Sequence, residues 1–446
     1  MNMKVDEVKA KDQRYVWHHL TPYGEKMVVT EAEGCWVTDS EGNRYLDGMA
    51  GLWCVNVGYG RQEMAEAAYE QLKTMPYYPL TQSHLPAIQL AEKLNEWLDG
   101  EYAVFFSNSG SEANEAAFKI ARQYHRQNGE GDRYKFISRY RAYHGNSMGA
   151  LAATGQAQRK YRYEPLSPGF VHVRPPDSYR RPEGQSVEGF NRDCARAIEE
   201  AILWEGKETV AGVIMEPAIS GGGVIVPHPV YMEEVQRICR EHGVLLIIDE
   251  VICGFGRSGE TFGHHNFKLR PDIVTMAKGL TSGYLPLSAT AVRREIYERF
   301  MELKEYQHFR HVNTFGGNPA ACALALKNLE IMEREKLPDQ AEGHGSRLEE
   351  KLQPLWRHPR VGDLRRFGFM LGLELVEDQA GKKPLATEQM GQVIAACKSR
   401  GLIIGKNGDT VAGYNNILTL APPLSATKED VDFIGETLIK AMEELD

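Results

Sequence analysis

Apolar and polar positions follow two different periods along the middle of the chain. Between about residue 102 and residue 291, short apolar runs alternate with stretches in which apolar residues recur every three or four positions. Short apolar runs are typical of buried strands, and the longer period is typical of amphipathic helices. The pattern therefore predicts a mainly parallel sheet with helices packed against it.

The clearest unit is a strand, a helix and a second strand over residues 209–251. The strands read "TVAGVIMEP" and "VLLIIDEV", and the helix between them reads "PVYMEEVQRICREHG". Pro229 suits a first helical position, and Gly243 suits a left-handed C-terminal cap. We expect two parallel strands joined by a right-handed crossover.

The two ends of the chain carry a different pattern. The N-terminal segment reads as a hairpin that turns near Ser40, and the C-terminal segment has long helical patterns followed by strands. We therefore expect an α/β protein with a large domain over residues 61–320. Residues 1–60 and 321–446 would form a smaller α+β domain packed on it.

Four apolar runs in the central region stop at polar residues. "YAVFF" ends at residues 107–110, "AGVIM" at Glu216, "VLLII" at Asp249, and "DIVTM" just before Ala277 and Lys278. In a parallel sheet these ends share one edge, which is where such sheets bind ligands. Contact with solvent would explain the polar residues at any one of these strand ends. Two acids, a lysine and a Gly-Ser turn at one edge together suit an anionic cofactor that can be protonated.

The Gly-Ser turn opens a helix with two possible roles. Ser109 and Glu112 read as a capping box, which is a purely structural feature. Gly110 and Ser111 also offer backbone N–H groups and a hydroxyl at the positive end of the helix, which suits a phosphate. No lysine follows the glycine as it would in a P-loop.

Lys278, Asp249 and Tyr143 complete a candidate cofactor site. Burial would favour a neutral Lys278 amine that can form a Schiff base with an aldehyde, although the lysine could instead reach out to water. Asp249 could keep a pyridine nitrogen protonated, or could serve a loop as a cap. Tyr143, in "YHG", could stack on the ring or belong to the core. Together these residues predict a site for pyridoxal 5′-phosphate.

Composition narrows the class of protein. The chain has 446 residues, 42% of them hydrophobic, and a formal net charge of −9, which argues against a nucleic-acid binder. The seven cysteines are scattered with no C-x-x-C pair, so we expect neither a disulfide framework nor a metal site. Without a signal peptide or a membrane-length apolar run, a soluble cytoplasmic protein is expected.

Two blocks of sequence resemble a known family. They read "LLIIDEVICGFGRSGETFG" and "RPDIVTMAKGLTSGYLPLSA", and Lys278 follows Asp249 by 29 positions. They resemble the signature of the class III, or ω-type, aminotransferases, which are fold-type I pyridoxal-phosphate enzymes. Further blocks such as "NTFGGNPAACA" and "LTLAPPLS" extend the resemblance over most of the chain.

The resemblance implies a role for each site residue. Lys278 would be the Schiff-base lysine and proton shuttle, and Asp249 the partner of the pyridine nitrogen. The other expected cofactor contacts are Val251 and Tyr143 on the two ring faces, Gly110 and Ser111 at the phosphate, Glu216 beside the ring hydroxyl, and Thr314 at the phosphate of the neighbouring subunit. A homodimer or a dimer of dimers with shared active sites is therefore also implied.

The resemblance further implies a ping-pong transamination from an ω-amino acid or primary amine to pyruvate. "GLWCVNVGYGR" resembles the ω-amino acid:pyruvate aminotransferases and would place Trp53 in the substrate pocket. Taurine:pyruvate aminotransferase is one alternative. "RYVWHHL" resembles the adenosylmethionine-8-amino-7-oxononanoate aminotransferases of biotin synthesis, which are another. An aminomutase of the same fold would also use Lys278.

The sequence departs from the family pattern where a substrate acid is usually bound. Many ω-aminotransferases carry an arginine shortly before the final "PP" strand, but this chain has Gly405 and Lys406 there. We predict that Arg162, in the basic loop "RKYRYEPLSPG", binds the substrate carboxylate instead. A solvated loop arginine is the alternative for Arg162.

Overall fold

The computed structural model describes residues 5–21, 24–301, 304–407 and 410–445. In those ranges the strands are β1 Val29–Glu33, β2 Trp36–Asp39, β3 Arg44–Asp47, β4 Tyr102–Ser107, β5 Lys135–Arg139, β6 Phe170–Val173, β7 Val210–Met215, β8 Leu245–Asp249, β9 Ile273–Met276, β10 Ser288–Arg293, β11 Val361–Phe367, β12 Met370–Leu375, β13 Leu402–Ile403, β14 Gly405–Lys406 and β15 Ile417–Leu420.

The α-helices of the same ranges lie before, between and after these strands. They are α1 Val5–Tyr15, α2 Ala50–Trp53, α3 Gln62–Thr74, α4 Leu85–Leu98, α5 Gly110–Gln127, α6 Met148–Ala153, α7 Ala157–Lys160, α8 Val187–Trp204, α9 Pro229–His242, α10 Arg294–Glu298, α11 Pro319–Arg334, α12 Leu337–Lys351, α13 Thr387–Ser399 and α14 Lys428–Glu443. As expected, α9 starts at Pro229 and is followed by Gly243 with a positive φ of 64°.

Seven strands form the central sheet in the order β4-β10-β9-β8-β7-β5-β6. The pairs from β6 through β9 are all parallel. β10 runs antiparallel to both of its neighbours, so β4 points in the same direction as the parallel strands. The predicted mainly parallel sheet is confirmed, with one reversed strand that the sequence pattern did not distinguish.

Both faces of the central sheet are covered. Val213 and Met215 of β7 belong to an apolar cluster that contains residues of α8 and α9. The residue between them, Ile214, belongs to a separate cluster with residues of α5. Because successive side chains of a strand point to opposite faces, these two clusters lie on the two sides of the sheet. All six residues of β7 are therefore buried.

Two four-stranded sheets lie outside the central sheet. The predicted N-terminal hairpin is present, with β2 paired to β3 in antiparallel register across the turn that follows Asp39. β13 pairs in parallel with β3, so the two ends of the chain share one sheet, β1-β2-β3-β13. The other sheet has the order β11-β12-β15-β14. The domain limits at residues 60 and 320 stay predictions.

A helix that crosses a lipid bilayer must be about 20 residues long and mainly apolar. Within residues 5–445, leaving aside the three internal pairs of positions outside the described ranges, no helix has the length and apolar character needed to cross a membrane.

Candidate active site

The carboxyl ends of the central strands enclose a cavity of about 130 Å³. It is lined by seven of the eight predicted cofactor residues, which are Gly110, Ser111, Tyr143, Glu216, Asp249, Val251 and Lys278. A larger cavity of about 780 Å³ opens at the opposite sheet edge, where cations such as Arg270 and Arg293 are mixed with acids. We place the site in the smaller cavity, because only there do the lysine, the two acids and the helix start meet.

Asp249 is held in one orientation by three donors. It ends β8 and is 3% exposed. Its Oδ2 accepts hydrogen bonds from Nδ2 of Asn114 and Nδ1 of His144, both at 2.9 Å, and its Oδ1 accepts from the backbone N–H of Val251 at 3.1 Å. Opposite an ionised carboxylate, which only accepts, Nδ1 of His144 carries the hydrogen. Asp249 is therefore a carboxylate with a fixed orientation at the cavity wall.

Asn114 and His144 are residues that the sequence reasoning missed. The Oδ1 of Asn114 accepts from the Thr275 hydroxyl at 2.7 Å, and its Nδ2 donates to the His144 carbonyl at 2.7 Å. Both side chains are buried. A signal was present in the sequence, because Asn114 is a polar residue within the alanine-rich face of α5 and His144 directly follows Tyr143.

The start of α5 has the features that both roles considered for the Gly-Ser turn require. The capping box between Ser109 and Glu112 is present. A Cβ on Gly110 would lie 3.0 Å from both methyl carbons of Val251, so a larger residue would not fit without a shift. The first N–H groups of a helix have no partner within the helix. The close packing of Gly110 thus leaves a helix end at the cavity that can receive an anion.

Ser111 lies in the first turn of α5 and contacts the loop after Tyr143. Its hydroxyl donates to Oδ1 of Asn146 at 2.9 Å and accepts from the Asn146 backbone N–H at 3.1 Å. A Cβ on Gly145 would lie 2.6 Å from the Ser111 Oγ, so the glycine permits this close approach. The Ser111 hydroxyl is thereby positioned at the helix end.

Lys278 follows β9 and begins a single turn of 3₁₀-helix, Lys278–Leu280. The residue is half-buried and has a positive φ of 47°, a conformation that is uncommon for any residue other than glycine. Backbone strain of this kind is concentrated at functional sites. Among the residues that the structure describes, no group forms a hydrogen bond or salt bridge with its amine. The Lys278 amine is thus available to a ligand in the cavity.

Glu216 and Tyr143 form the side of the cavity next to Asp249. Oε1 of Glu216 accepts from the backbone N–H of Tyr143 at 3.2 Å, and Oε2 accepts from the backbone N–H of Ser220 at 3.0 Å. Burial raises the pKa of Glu216, and the nearby Asp249 carboxylate acts in the same direction while His144 opposes it. Burial also raises the pKa of the Tyr143 hydroxyl.

The three remaining predicted site residues do not line this cavity. Thr314 is exposed, and its carbonyl accepts from the Tyr77 hydroxyl at 2.9 Å. Trp53 is 7% exposed and packs in an apolar cluster with Met49 and other residues. Arg162 is exposed. A Thr314 contact to the neighbouring subunit and substrate contacts by Trp53 and Arg162 stay predictions.

The family comparison covers nearly the whole chain. Residues 21–442 match the model of the family described as aminotransferase class-III. The chain belongs to the class III aminotransferases. The uncharacterized aminotransferase YhxA of Bacillus subtilis is 62% identical over 97% of this chain and 95% of its own length. The taurine–pyruvate aminotransferase of Bilophila wadsworthia is 42% identical over 98% of this chain and 96% of its own.

Solved aminotransferase structures share the fold. A Bacillus anthracis aminotransferase superimposes with a TM-score of 0.96 at 58% identity, covering 99% of both chains. A thermostable (S)-enantioselective omega-transaminase from Thermomicrobium roseum superimposes with a TM-score of 0.93 at 40% identity, covering 100% of both chains. The class III aminotransferase described here is therefore a fold-type I pyridoxal-phosphate enzyme, as the sequence predicted.

The cofactor of this aminotransferase is pyridoxal 5′-phosphate. A Pseudomonas jessenii omega transaminase in complex with PMP superimposes with a TM-score of 0.92 at 34% identity, covering 98% of both chains. The residues of the cavity fit this cofactor, since they combine a Lys278 amine that pairs with no described residue, a fixed carboxylate at Asp249, and an open helix end at Gly110. These are the groups that an aldehyde, a pyridine nitrogen and a phosphate require.

Proposed function

We propose that this class III aminotransferase moves an amino group from an ω-amino acid or a primary amine to pyruvate in a ping-pong reaction. The observation that carries the proposal is the meeting of Lys278 and Asp249 at one cavity beside the start of α5. Two relatives support pyruvate as the acceptor: the taurine–pyruvate aminotransferase named above and the putrescine–pyruvate aminotransferase of Pseudomonas aeruginosa, which is 36% identical.

The residues that would hold the cofactor are assigned by their positions. The N–H groups at Gly110 and Ser111 and the Ser111 hydroxyl would hold the phosphate at the positive end of α5. Asp249 would accept a hydrogen bond from the protonated ring nitrogen. Val251 and Tyr143 would contact the two faces of the ring. When bound, pyridoxal phosphate supplies an electron sink that stabilises negative charge at the substrate carbon.

Lys278 would do the proton chemistry of both half-reactions. As a neutral amine, its Nζ would take the proton from the substrate carbon and return it at the neighbouring position on the cofactor side. No acid among the described residues pairs with the Lys278 amine, so the amine is free to act on the substrate. Asp249 would hold the ring nitrogen, and Glu216 would orient the cofactor without exchanging a proton with the substrate.

We further propose a homodimer or a dimer of dimers in which Thr314 reaches the cofactor phosphate of a neighbouring subunit. Exposed apolar side chains surround Thr314, and they are Tyr77, Tyr78, Leu80, Val312 and Phe315. An exposed group of this kind is typical of a protein–protein interface. Light scattering on the purified enzyme should give the mass of two or four chains, and the mass of one chain would contradict the proposal.

We propose a cytoplasmic location on the evidence of the cysteines. All seven are free thiols, six of them buried. Reduced thiols are the rule in the cytoplasm.

The function is tested by a panel of amino donors with pyruvate as the acceptor. The donors are β-alanine, taurine, a simple aryl amine, and S-adenosylmethionine with the keto acid of biotin synthesis. We expect alanine to form with at least one of the first three, and none to form with the Lys278→Ala variant. Activity with S-adenosylmethionine alone would favour the biotin alternative, and amino migration without alanine would indicate an aminomutase.

A further inference from the structure

The cations nearest the cofactor cavity differ in how fully they are already paired. Arg139 is 1% exposed, and its guanidinium donates to the backbone carbonyl of Glu216. Arg141 is 5% exposed, forms a salt bridge with Asp177 at 2.5 Å, and donates to the carbonyl of Gly222 at 2.8 Å. Arg141 is committed to groups inside the protein. Arg139 has no partner for its Nε and Nη1 within the described residues, but it is buried over the ring of Tyr231, which does not line the cavity, so neither arginine presents its donors to a substrate.

Arg159, in the short helix α7, is placed differently. Its guanidinium carbon lies 5.0 Å from the centre of the Tyr143 ring, and that ring lines the cofactor cavity. Its Nε donates to Oε1 of Gln156 at 2.6 Å, while Nε2 of Gln156 donates to the carbonyl of Arg141 at 2.9 Å. Gln156 is 1% exposed, so it anchors the half-buried Arg159 side chain from within the fold.

The outer edge of the Arg159 guanidinium has unused donors. Its two Nη nitrogens have no acceptor among the residues of the described ranges. A guanidinium over an aromatic ring keeps its in-plane N–H groups free, and their fork matches the oxygens of a carboxylate or a sulfonate. Arg159 thus offers a fixed, charged donor pair beside the aromatic wall of the cavity.

We propose that Arg159 binds the acid group of the substrates, namely the carboxylate of the keto acid and the carboxylate or sulfonate of an ω-amino acid donor. The proposal rests on the proposed function and adds the specificity residue that the chain needs where Gly405 and Lys406 replace the expected arginine. Lys406 is exposed on β14. The enzyme would then favour acid-bearing donors over neutral amines of equal length.

The sequence pattern had suggested Arg162 for this role, and the structure separates the two arginines. The guanidinium of Arg162 lies 5.2 Å from the ring of Tyr161, whose side chain is 68% exposed. Arg162 therefore stacks on a ring at the surface, whereas Arg159 stacks on the ring of Tyr143 at the cavity. Arg159 and Arg162 can be tested side by side.

The test uses the holoenzyme and two ligand pairs that differ in one acid group. Calorimetry measures the binding of propionate and of the neutral propionamide, and steady-state kinetics with pyruvate as the acceptor compare β-alanine with n-propylamine. In Arg159→Met we expect the affinity for propionate to fall and the KM for β-alanine to rise, each by about 10- to 100-fold. The affinity for propionamide, the KM for n-propylamine and kcat with both donors should not change. Arg159→Lys should recover part of the loss, because it restores the charge without the fork.

A matched control is Arg294→Met, which removes a guanidinium 5.4 Å from the ring of Tyr297 and remote from the cavity. It should leave all four ligands unaffected. An equal loss for acid and neutral ligands in Arg159→Met would reveal a structural effect through Tyr143 and overturn the proposal. The proposal would also fail if Arg162→Met alone weakened propionate, or if wild-type enzyme bound propionate no better than propionamide. Calorimetry needs no turnover, so it tests this proposal separately from the proposed function. If propionate bound through Arg159 but no donor gave alanine, the proposed function would be wrong and this proposal would stand.

Discussion

Asp249 and Glu250 are consecutive acids at the end of β8, and each is paired with a histidine. Asp249 accepts from Nδ1 of His144 at 2.9 Å, and Glu250 accepts from Nδ1 of His264 at 2.7 Å. Both carboxylates are almost fully buried, at 3% and 0% exposure. The difference between them is in their surroundings, because Asp249 lines the cofactor cavity and Glu250 does not.

The remaining contacts of Glu250 tie down a loop. Its two carboxylate oxygens accept the backbone N–H groups of Gly263 and His264 at 2.9 and 2.7 Å. These bonds close the segment between Val251 and Phe262 onto the end of β8. The pair Glu250–His264 thus stabilises the fold, whereas the pair Asp249–His144 presents a charge to a ligand. A buried acid–histidine pair therefore does not by itself indicate chemistry, and the acid must also line the cofactor cavity.

The largest effect that separates the two acids is expected from Asp249→Asn. An amide has nearly the same shape but cannot supply the negative charge that keeps a pyridine nitrogen protonated. We expect kcat to fall by about 10²- to 10⁴-fold. The free energy of unfolding should also fall, by about 1–3 kcal/mol, because the amide leaves one of the buried donors around Asp249 without a partner. Single-turnover kinetics with the best donor measure the loss. A variant that kept more than about a tenth of the wild-type rate would show that Asp249, like Glu250, has no large role in catalysis.

Glu250→Gln should lower stability in the same way but spare kcat. The amide can accept from only one side, so it would leave a buried donor without a partner at Gly263 or His264. We expect the free energy of unfolding to fall by about 1–3 kcal/mol, with kcat of the folded enzyme nearly unchanged. Urea unfolding and kinetics on the same sample give both values. Loss of activity at unchanged stability would place Glu250 in the active site after all.

The end of β8 also shows how far the sequence could lead. Asp249 and Lys278 were predictable, because the carboxyl ends of parallel strands meet at one edge wherever the chain goes in between. The contact of His144 with Asp249 joins residues 105 positions apart, and neither hydrophobic period nor turn chemistry encodes it. The reversal of β10 was likewise not predicted, since a buried strand reads as the same apolar run in either direction.

The direction of side chains on loops is the other feature that the sequence did not predict. Arg159 and Arg162 belong to one basic stretch, and their sequence neighbours do not reveal which of them turns towards Tyr143. Trp53 was expected in the substrate pocket, and it belongs to an apolar cluster that also contains Met370, so its contact with a substrate stays a prediction. The predicted cofactor residues that line the cavity lie at the start of α5 and at or shortly after the ends of strands, where the hydrophobic pattern locates them. The directions of Arg159 and Arg162 are defined only by three-dimensional packing.

An intermediate effect is expected from His144→Gln. Asp249 would keep its bonds from Asn114 and the N–H of Val251 and lose one of three donors. Because a hydrogen bond to a charged group contributes about 1.5–3 kcal/mol, we expect kcat to fall at least about tenfold. The matched change, His264→Gln beside Glu250, should lower the unfolding midpoint and spare kcat. If kcat fell equally in the two variants, the position of His144 at the cofactor cavity would give it no larger role in catalysis than His264.

The smallest effect concerns Glu216, a third buried acid, whose carboxylate accepts from backbone N–H groups and has no histidine partner within the described chain. Burial raises the pKa of Glu216 in the folded protein above its unfolded value of about 4.3. Between those two values the folded protein binds more protons than the unfolded chain, so this group lowers stability as pH rises through that window.

Glu216→Gln removes the titration, and the stability of the variant relative to wild type should therefore increase with pH above about 4. Urea unfolding of the cofactor-free proteins from acidic to neutral pH measures this slope, with the exposed Glu208→Gln as the control. A difference that stays constant with pH would mean that Glu216 ionises normally, so that a buried acid at this edge needs no histidine to carry its charge.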